Sequence, residues 1–322
     1  MKLSVLAVAL GDRSLDEALK FLSDRGVHAV EIGCGGFPGK AHCDPEVLLH
    51  DEKKLQEFKD TFKKYNMEIS ALSAHGNAVH PDKAQARKYE DDFVNAILLA
   101  EKLGVDRVVT FSGCPGGSKD DKTPNWVTCA WPQDYPAILD YQWNEVLIPY
   151  WKKMAAFAND HGIYKIAFEM HPGFCVYNPE TMLRIREAVG PTLGANLDPS
   201  HLFWQGIDPC EAVRYLGGDA IHFIHAKDTA LNQFNIAHNG VLDTKNFTKV
   251  RERSWIFRTV GYGHDEKMWK DFVSALRLAG YEGPVSIEHE DGLMSGEEGL
   301  TKAIRLMQDV MMTTTPGDMY WA

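Results

Sequence analysis

Short runs dense in Val, Ile, Leu and Ala alternate with longer stretches of helical spacing, from one end of the chain to the other. The short runs predict strands over Leu3–Leu10, Val27–Gly33, Met67–Ser73, Asp106–Phe111, Ile163–Glu169, Leu193–Asp198, Ala220–Ala226 and Pro284–Glu290. The amphipathic stretches predict helices over Leu15–Arg25, Glu52–Tyr65, Lys83–Leu103, Pro136–His161, Pro179–Val189, Pro209–Leu216, Met268–Ala279 and Gly296–Met311. Ser14, Asp208 and Ser295 stand where N-caps belong, and Gly26, Gly104, Gly162, Gly190, Gly217 and Gly280 stand where helices should end. Strand-then-helix units of about 40 residues, repeated without a break, predict a single (β/α)8 TIM barrel over residues 1–322 rather than an open doubly wound sheet. No G-x-G-x-x-G follows the first strand, which disfavours a dinucleotide fold, and Gly33-Cys34-Gly35-Gly36 reads as a plain tight turn.

Two connections exceed simple turns: Ser112–Tyr135 after strand four and Lys227–His264 after strand seven. Loops that follow barrel strands gather at the catalytic mouth, so both are expected to cover substrate. The first carries Trp126 and Trp131, and Trp126 is a candidate for stacking on a sugar ring.

Composition narrows the partners. Of 322 residues, 44% are apolar and 25% charged, and the net charge of −11 comes without a Lys/Arg cluster. Such a surface argues against nucleic acid and leaves small neutral ligands unaffected. No apolar stretch reaches the roughly 20 residues of a membrane helix. The Lys2–Leu10 segment echoes a signal peptide only weakly and reads better as a buried first strand. Six cysteines without a C-x-x-C pair fit reduced thiols in a cytoplasm.

Four neighbouring strands end in potential ligands: Glu169, Asp198, His225 and Glu288. Residues two apart share a strand face, so Glu169 points inward with Ala167, Asp198 with Asn196, His225 with Phe223, and Glu288 with Ser286. The same parity turns His222 and His289 outward and brings Glu31, on strand two, to the interior as a candidate substrate contact. Three carboxylates and one imidazole suit Mn²⁺ first, with Mg²⁺ or Co²⁺ as alternatives, better than a thiolate zinc site. Ion pairing of each acid with a nearby Lys or Arg is the competing explanation.

The segments Phe168-Glu169-Met170-His171-Pro172, Asn196-Leu197-Asp198-Pro199-Ser200-His201, His225-Ala226-Lys227-Asp228 and Ser286-Ile287-Glu288-His289-Glu290 resemble the xylose isomerase-like sugar isomerase/epimerase superfamily. The resemblance implies that Glu169, Asp198, His225 and Glu288 bind the metal, that Glu169 and Glu288 are the acid/base pair, and that His201 contacts substrate. Lys227, Asp228 and the Arg251, Arg253 and Arg258 loop depart from the epimerase pattern, which counts against a simple free-ketose epimerase; Lys227 and Asp228 are further candidate substrate contacts. The His75–His80 segment His-Gly-Asn-Ala-Val-His is similar to the branch containing the large subunits of C-glycoside-deglycosylating enzymes. That branch adds His75 and His171 as candidate general acid/base groups, and a smaller subunit or a homo-oligomer as the expected assembly.

The expected chemistry is enolisation of an oxo-sugar by a divalent metal and a carboxylate base, giving epimerisation or isomerisation. Where a leaving group lies β to the carbonyl, the alternative is lyase cleavage of a 3-oxo-glycoside. Two other readings compete: an abasic-site nuclease, disfavoured by the net charge, and a carbohydrate-binding subunit without chemistry.

Overall fold

The computed structural model describes residues 1–321. The barrel strands are β1 (Lys2–Leu6), β2 (Ala29–Gly33), β3 (Glu68–Ser73), β4 (Arg107–Thr110), β5 (Lys165–Glu169), β6 (Leu193–Leu197), β7 (Ile221–Ala226) and β10 (Pro284–Ile287). They close in the order β1-β10-β7-β6-β5-β4-β3-β2, every pair parallel, which is the (β/α)8 barrel expected. β8 (Asp228–Leu231) and β9 (Trp255–Arg258) form a separate antiparallel ribbon at the mouth. Among the described residues no helix is long and apolar enough to cross a membrane.

Local chemistry fixes the helix ends. Ser14 forms a capping box with Glu17, Asp208 accepts from the N–H groups of Cys210 and Glu211, and Ser295 accepts from Glu298 N–H. The six glycines expected to end helices all have positive φ. In the turn after β2, Gly36 has φ +62°, and a Cβ there would meet His75 O at 1.8 Å, so the glycine serves close backbone packing.

Four expectations need correction. The apolar run Leu3–Leu10 is not one strand, because β1 stops at Leu6 and Ala7–Leu10 form a 3₁₀ turn that buries Ala7 and Leu10 at the rim. The helix expected over Pro136–His161 runs from Asp134 to Asp160 and widens into a π-helical turn at Gln142–Leu147. The span Lys227–His264 is not a simple loop, since it contains β8, β9 and a helix over Gln233–Asn239. Short helices at Pro45–His50 and Pro199–Phe203, both capped by Asp, escaped the periodicity because neither is long enough to show it.

Two apolar layers sit on the sheet. Outward residues pack under the helices, while Ala71, Val109, Ala167 and Phe223 fill the interior. Ser4 and Ser70 hydrogen-bond within the barrel at 2.7 Å. Polar groups replace this plug towards the C-terminal ends of the strands.

Candidate metal centre and its neighbouring cavity

The strand register lifts the four ligands to one level. Glu169 pairs with Asn196, Asn196 with Phe223, and His225 with Ser286, so Asp198 and Glu288 each stand two residues beyond a partnered position. Glu169, Asp198, His225 and Glu288 bring one ligand atom each within 4.8 Å of one another. His222 faces outward onto Pro191 O, and the His289 ring lies against the Gly299 position, as parity requires.

Each ligand is held by a different device. Asp198 caps the Pro199–Phe203 helix, its Oδ1 accepting from Ser200 N–H at 2.8 Å while Oδ2 has no hydrogen-bond partner. Burial pushes the Asp198 carboxyl up to about 7, against the opposing pull of Lys227. His225 presents Nδ1 to the cluster, 3.0 Å from Glu288 and 3.7 Å from Glu169 but without the alignment of a hydrogen bond. Its Nε2 lies 3.0 Å from Glu31 Oε2. Burial alone would discharge His225, but Glu31 and Glu288 overcome it and raise the imidazole well above its usual range.

Glu169 receives Nε2–H of His201 at 2.8 Å, and His75 Nε2 lies 2.9 Å from its other oxygen. Burial would raise the Glu169 carboxyl, yet the two histidines, with His225 and Lys227 nearby, hold it well below the carboxylate range. His201 is pushed down to about 3 by burial, assisted by His171 and Lys227, so it is a neutral donor. Burial would also raise Glu288, and Lys227 first among its neighbours reverses that. Lys227 itself is 2% exposed and touches Asp198 at 3.2 Å, Glu288 at 2.8 Å and Glu290 at 3.0 Å.

The residues present fit a divalent cation. The donor set is three carboxylates and one imidazole, two of its members carry buried atoms without a hydrogen bond, and the candidate histidine ligand is braced by a carboxylate behind it. Ion pairing contributes as well, since Lys227 meets Asp198, Glu288 and Glu290, but one ammonium does not offset three carboxylates. A second group, Glu169 with His171 and His201, also brings possible ligand atoms together.

Two cavities open at this mouth. The smaller, about 140 Å³, is lined by His75, Phe111, Glu169, Lys227, Glu288 and Glu290 among others. The larger, about 460 Å³, is lined by Trp126, Trp204, Trp255, Phe247 and Phe257, with Arg253 and Asp243. His171 lines both, with its ring centroid 4.0 Å from that of His201.

Most sequence candidates therefore converge, and two do not. Glu31 is fully buried beneath His225, where Ser73 and Ser286 hydroxyls donate to it, so it positions the ligand and lines neither cavity. Asp228 is fully buried as well, and Thr229, Gly261, Gly263 and His264 N–H groups donate to it. It fastens the ribbon loop rather than contacting the mouth. Sequence reasoning missed Glu290, which shares the parity of Glu288, and the aromatic wall from Trp204 and β9, whose Trp255 and Phe257 are two apart on one strand face.

A model of the family described as "Xylose isomerase-like TIM barrel" matches residues 19–310. The chain belongs to that family. A relative, the uncharacterized protein YfiH of Bacillus subtilis (strain 168), is 41% identical over 313 residues, covering 97% of this chain and 99% of YfiH. Solved structures share the fold at lower identity. The probable 3-DHS dehydratase AsbF of Bacillus anthracis aligns with a TM-score of 0.66 at 16% identity, over 96% of this chain and 99% of AsbF. The IolI protein with a bound zinc atom aligns with a TM-score of 0.66 at 21% identity, over 96% and 98% of the two chains.

Proposed function

We propose that this xylose isomerase-like barrel is a divalent-metal enzyme, with Mn²⁺ the best-suited ion, that enolises an oxo-sugar. The observation that carries the reading is the convergence of four possible ligand atoms within 4.8 Å, where Asp198 Oδ2 and His225 Nδ1 make no hydrogen bond and meet the charges of Lys227 and Glu288. A cation held there supplies Lewis acidity that makes the C–H beside a sugar carbonyl easier to remove. Glu169, ionised and gripped by two histidines, is the base for that proton, and Glu288 is placed to serve as its counterpart. Lys227 keeps positive charge beside the carboxylates, and Phe111 walls the smaller cavity against water.

The larger cavity favours the eliminating variant of this chemistry. In a 3-oxo-glycoside the C2 proton passes to carboxylate, a C1=C2 double bond forms in conjugation with the carbonyl, and the aglycone departs with the C1 bonding pair. His171, lining both cavities, is positioned to protonate the departing group. Incubation of metal-loaded protein with simple ketoses and 3-oxo-glycosides in D₂O tests both variants. Metal-dependent deuterium at the carbon beside the carbonyl is expected, together with aglycone release from the glycosides. Absence of exchange from every oxo-sugar would overturn the reading.

A further inference from the structure

We propose that Cys114 and Cys175 are a site of reversible oxidation by peroxide, whose disulfide latches the loop after β5 onto the loop after β4. The backbone already sets the two residues side by side. Cys175 N–H donates to Gly113 O at 3.0 Å, and Val176 N–H donates to Ser112 Oγ at 3.0 Å. The first of these bonds places Cys175 beside Cys114 as on neighbouring parallel strands, about 5 Å apart, inside the roughly 4.4–6.8 Å between Cα atoms that a disulfide spans. Asn77 grips Cys114 from both sides, its Nδ2 donating to Cys114 O at 2.8 Å and its Oδ1 accepting from Cys114 N–H at 3.0 Å. The segment that would be latched carries His171, which lines both cavities, and Phe174, which stacks on Phe111 with centroids 4.2 Å apart.

The two thiols are not equivalent. The Cys175 S–H donates to the Cys114 sulfur and Asn125 N–H adds to it, which holds Cys114 below the ordinary thiol range against the effect of burial. The same contact, with burial, pushes Cys175 well up. Cys114 is therefore the attacking sulfur and Cys175 the resolving one. Cys114 bonds to one peroxide oxygen, the O–O bond breaks, and the departing hydroxide leaves as water with the thiol proton, giving a sulfenic acid. Cys175 then bonds to that sulfur, the S–O bond breaks, and its proton leaves with the hydroxide as a second water. Peroxide is reduced by two electrons and the thiol pair is oxidised by two. Both residues are buried, which admits an oxidant hardly larger than water and shuts out a bulky one such as glutathione disulfide. Cys34 and Cys43 form an internal control, because burial pushes both thiols up and neither favours the thiolate of the other.

The test is treatment of the full chain with hydrogen peroxide, in a Cys129→Ser background that removes the exposed thiol, followed by alkylation in denaturant and peptide mass mapping. The expected result is a loss of about 2 Da per chain, a linked pair of peptides carrying Cys114 and Cys175, and recovery of both thiols with dithiothreitol. Cys34 and Cys43 should stay fully alkylated. Cys175→Ser should leave Cys114 as a sulfenic acid that dimedone labels. Amide hydrogen exchange at Phe174, Cys175 and Val176 should slow in the oxidised chain and recover on reduction. Cys114 and Cys175 alkylated after peroxide as fully as Cys34 and Cys43, or a disulfide between any other pair, would overturn the proposal. A Cys114 to Cys175 disulfide with unchanged amide exchange would overturn the latch.

Discussion

The two cavities at the barrel mouth are built from different material. The smaller sets Glu169, Lys227, Glu288 and Glu290, at or just beyond strand ends, against apolar residues such as Leu6, Phe37 and Phe111, and nearly every charge has an opposing partner within about 3 Å. The larger is walled mainly by residues of the connections after β4, β6 and β7, is aromatic, and keeps three donors unsatisfied. The difference separates two jobs. On the proposed reading, rigid strand ends would hold the groups that move protons, while loops and a ribbon would shape what the rest of the substrate must look like.

The strongest way to break this comparison is Glu169→Gln, which should lower kcat about 10³-fold with an unchanged circular dichroism spectrum. A smaller effect, confined to the metal, is expected from Glu31→Gln. Weakening the brace on His225 should reduce metal affinity about 10- to 100-fold in a chelator-competition titration. Trp126→Ala should raise KM about 5- to 10-fold while metal content and kcat hold, which would confine the larger cavity to binding. A drop in metal content there would merge the two cavities into one functional unit.

The smallest effect on catalysis is expected at His222, which shares β7 with His225 but faces the other way. Burial pushes His222 down to about 4 from an ordinary 6.5. Between these values the unfolded chain binds the extra proton, so stability is present above pH 6.5 and falls as pH drops towards 4. The loss is on the order of 3 kcal/mol for a shift of this size. His222→Gln should flatten that slope in urea unfolding and leave metal binding and turnover intact.

The contrast also explains what could be read in the chain. Period two along a strand is rigid, so the inward set Glu169, Asp198, His225 and Glu288 was legible, and His222 and His289 were correctly set aside. Glu31 was placed in the interior, but its partner lies 194 residues away and two serines below it turn it from the cavity, which no local pattern encodes. Asp228 looked like a site residue because it follows Lys227, yet one carboxylate at the start of a ribbon serves equally well to gather loop N–H groups. The aromatic box draws on Trp126, Trp204 and β9, and only the folded loops bring them together. The apolar run through Leu10 misled for the opposite reason, since burial at a barrel rim looks the same whether the backbone is extended or coiled.

Lys227 would give the proposed metal centre the character of an ion exchanger with a tethered counter-ion. Its ammonium rests on Asp198 Oδ2 and Glu288 Oε2, on two of the residues that would hold a cation. Loading the site would trade one positive charge for a larger one, with Glu290 beside the ammonium to keep it close. Stripping the ion lets the tether return, so chelation should empty this barrel without unfolding it, unlike small domains whose folding is metal binding.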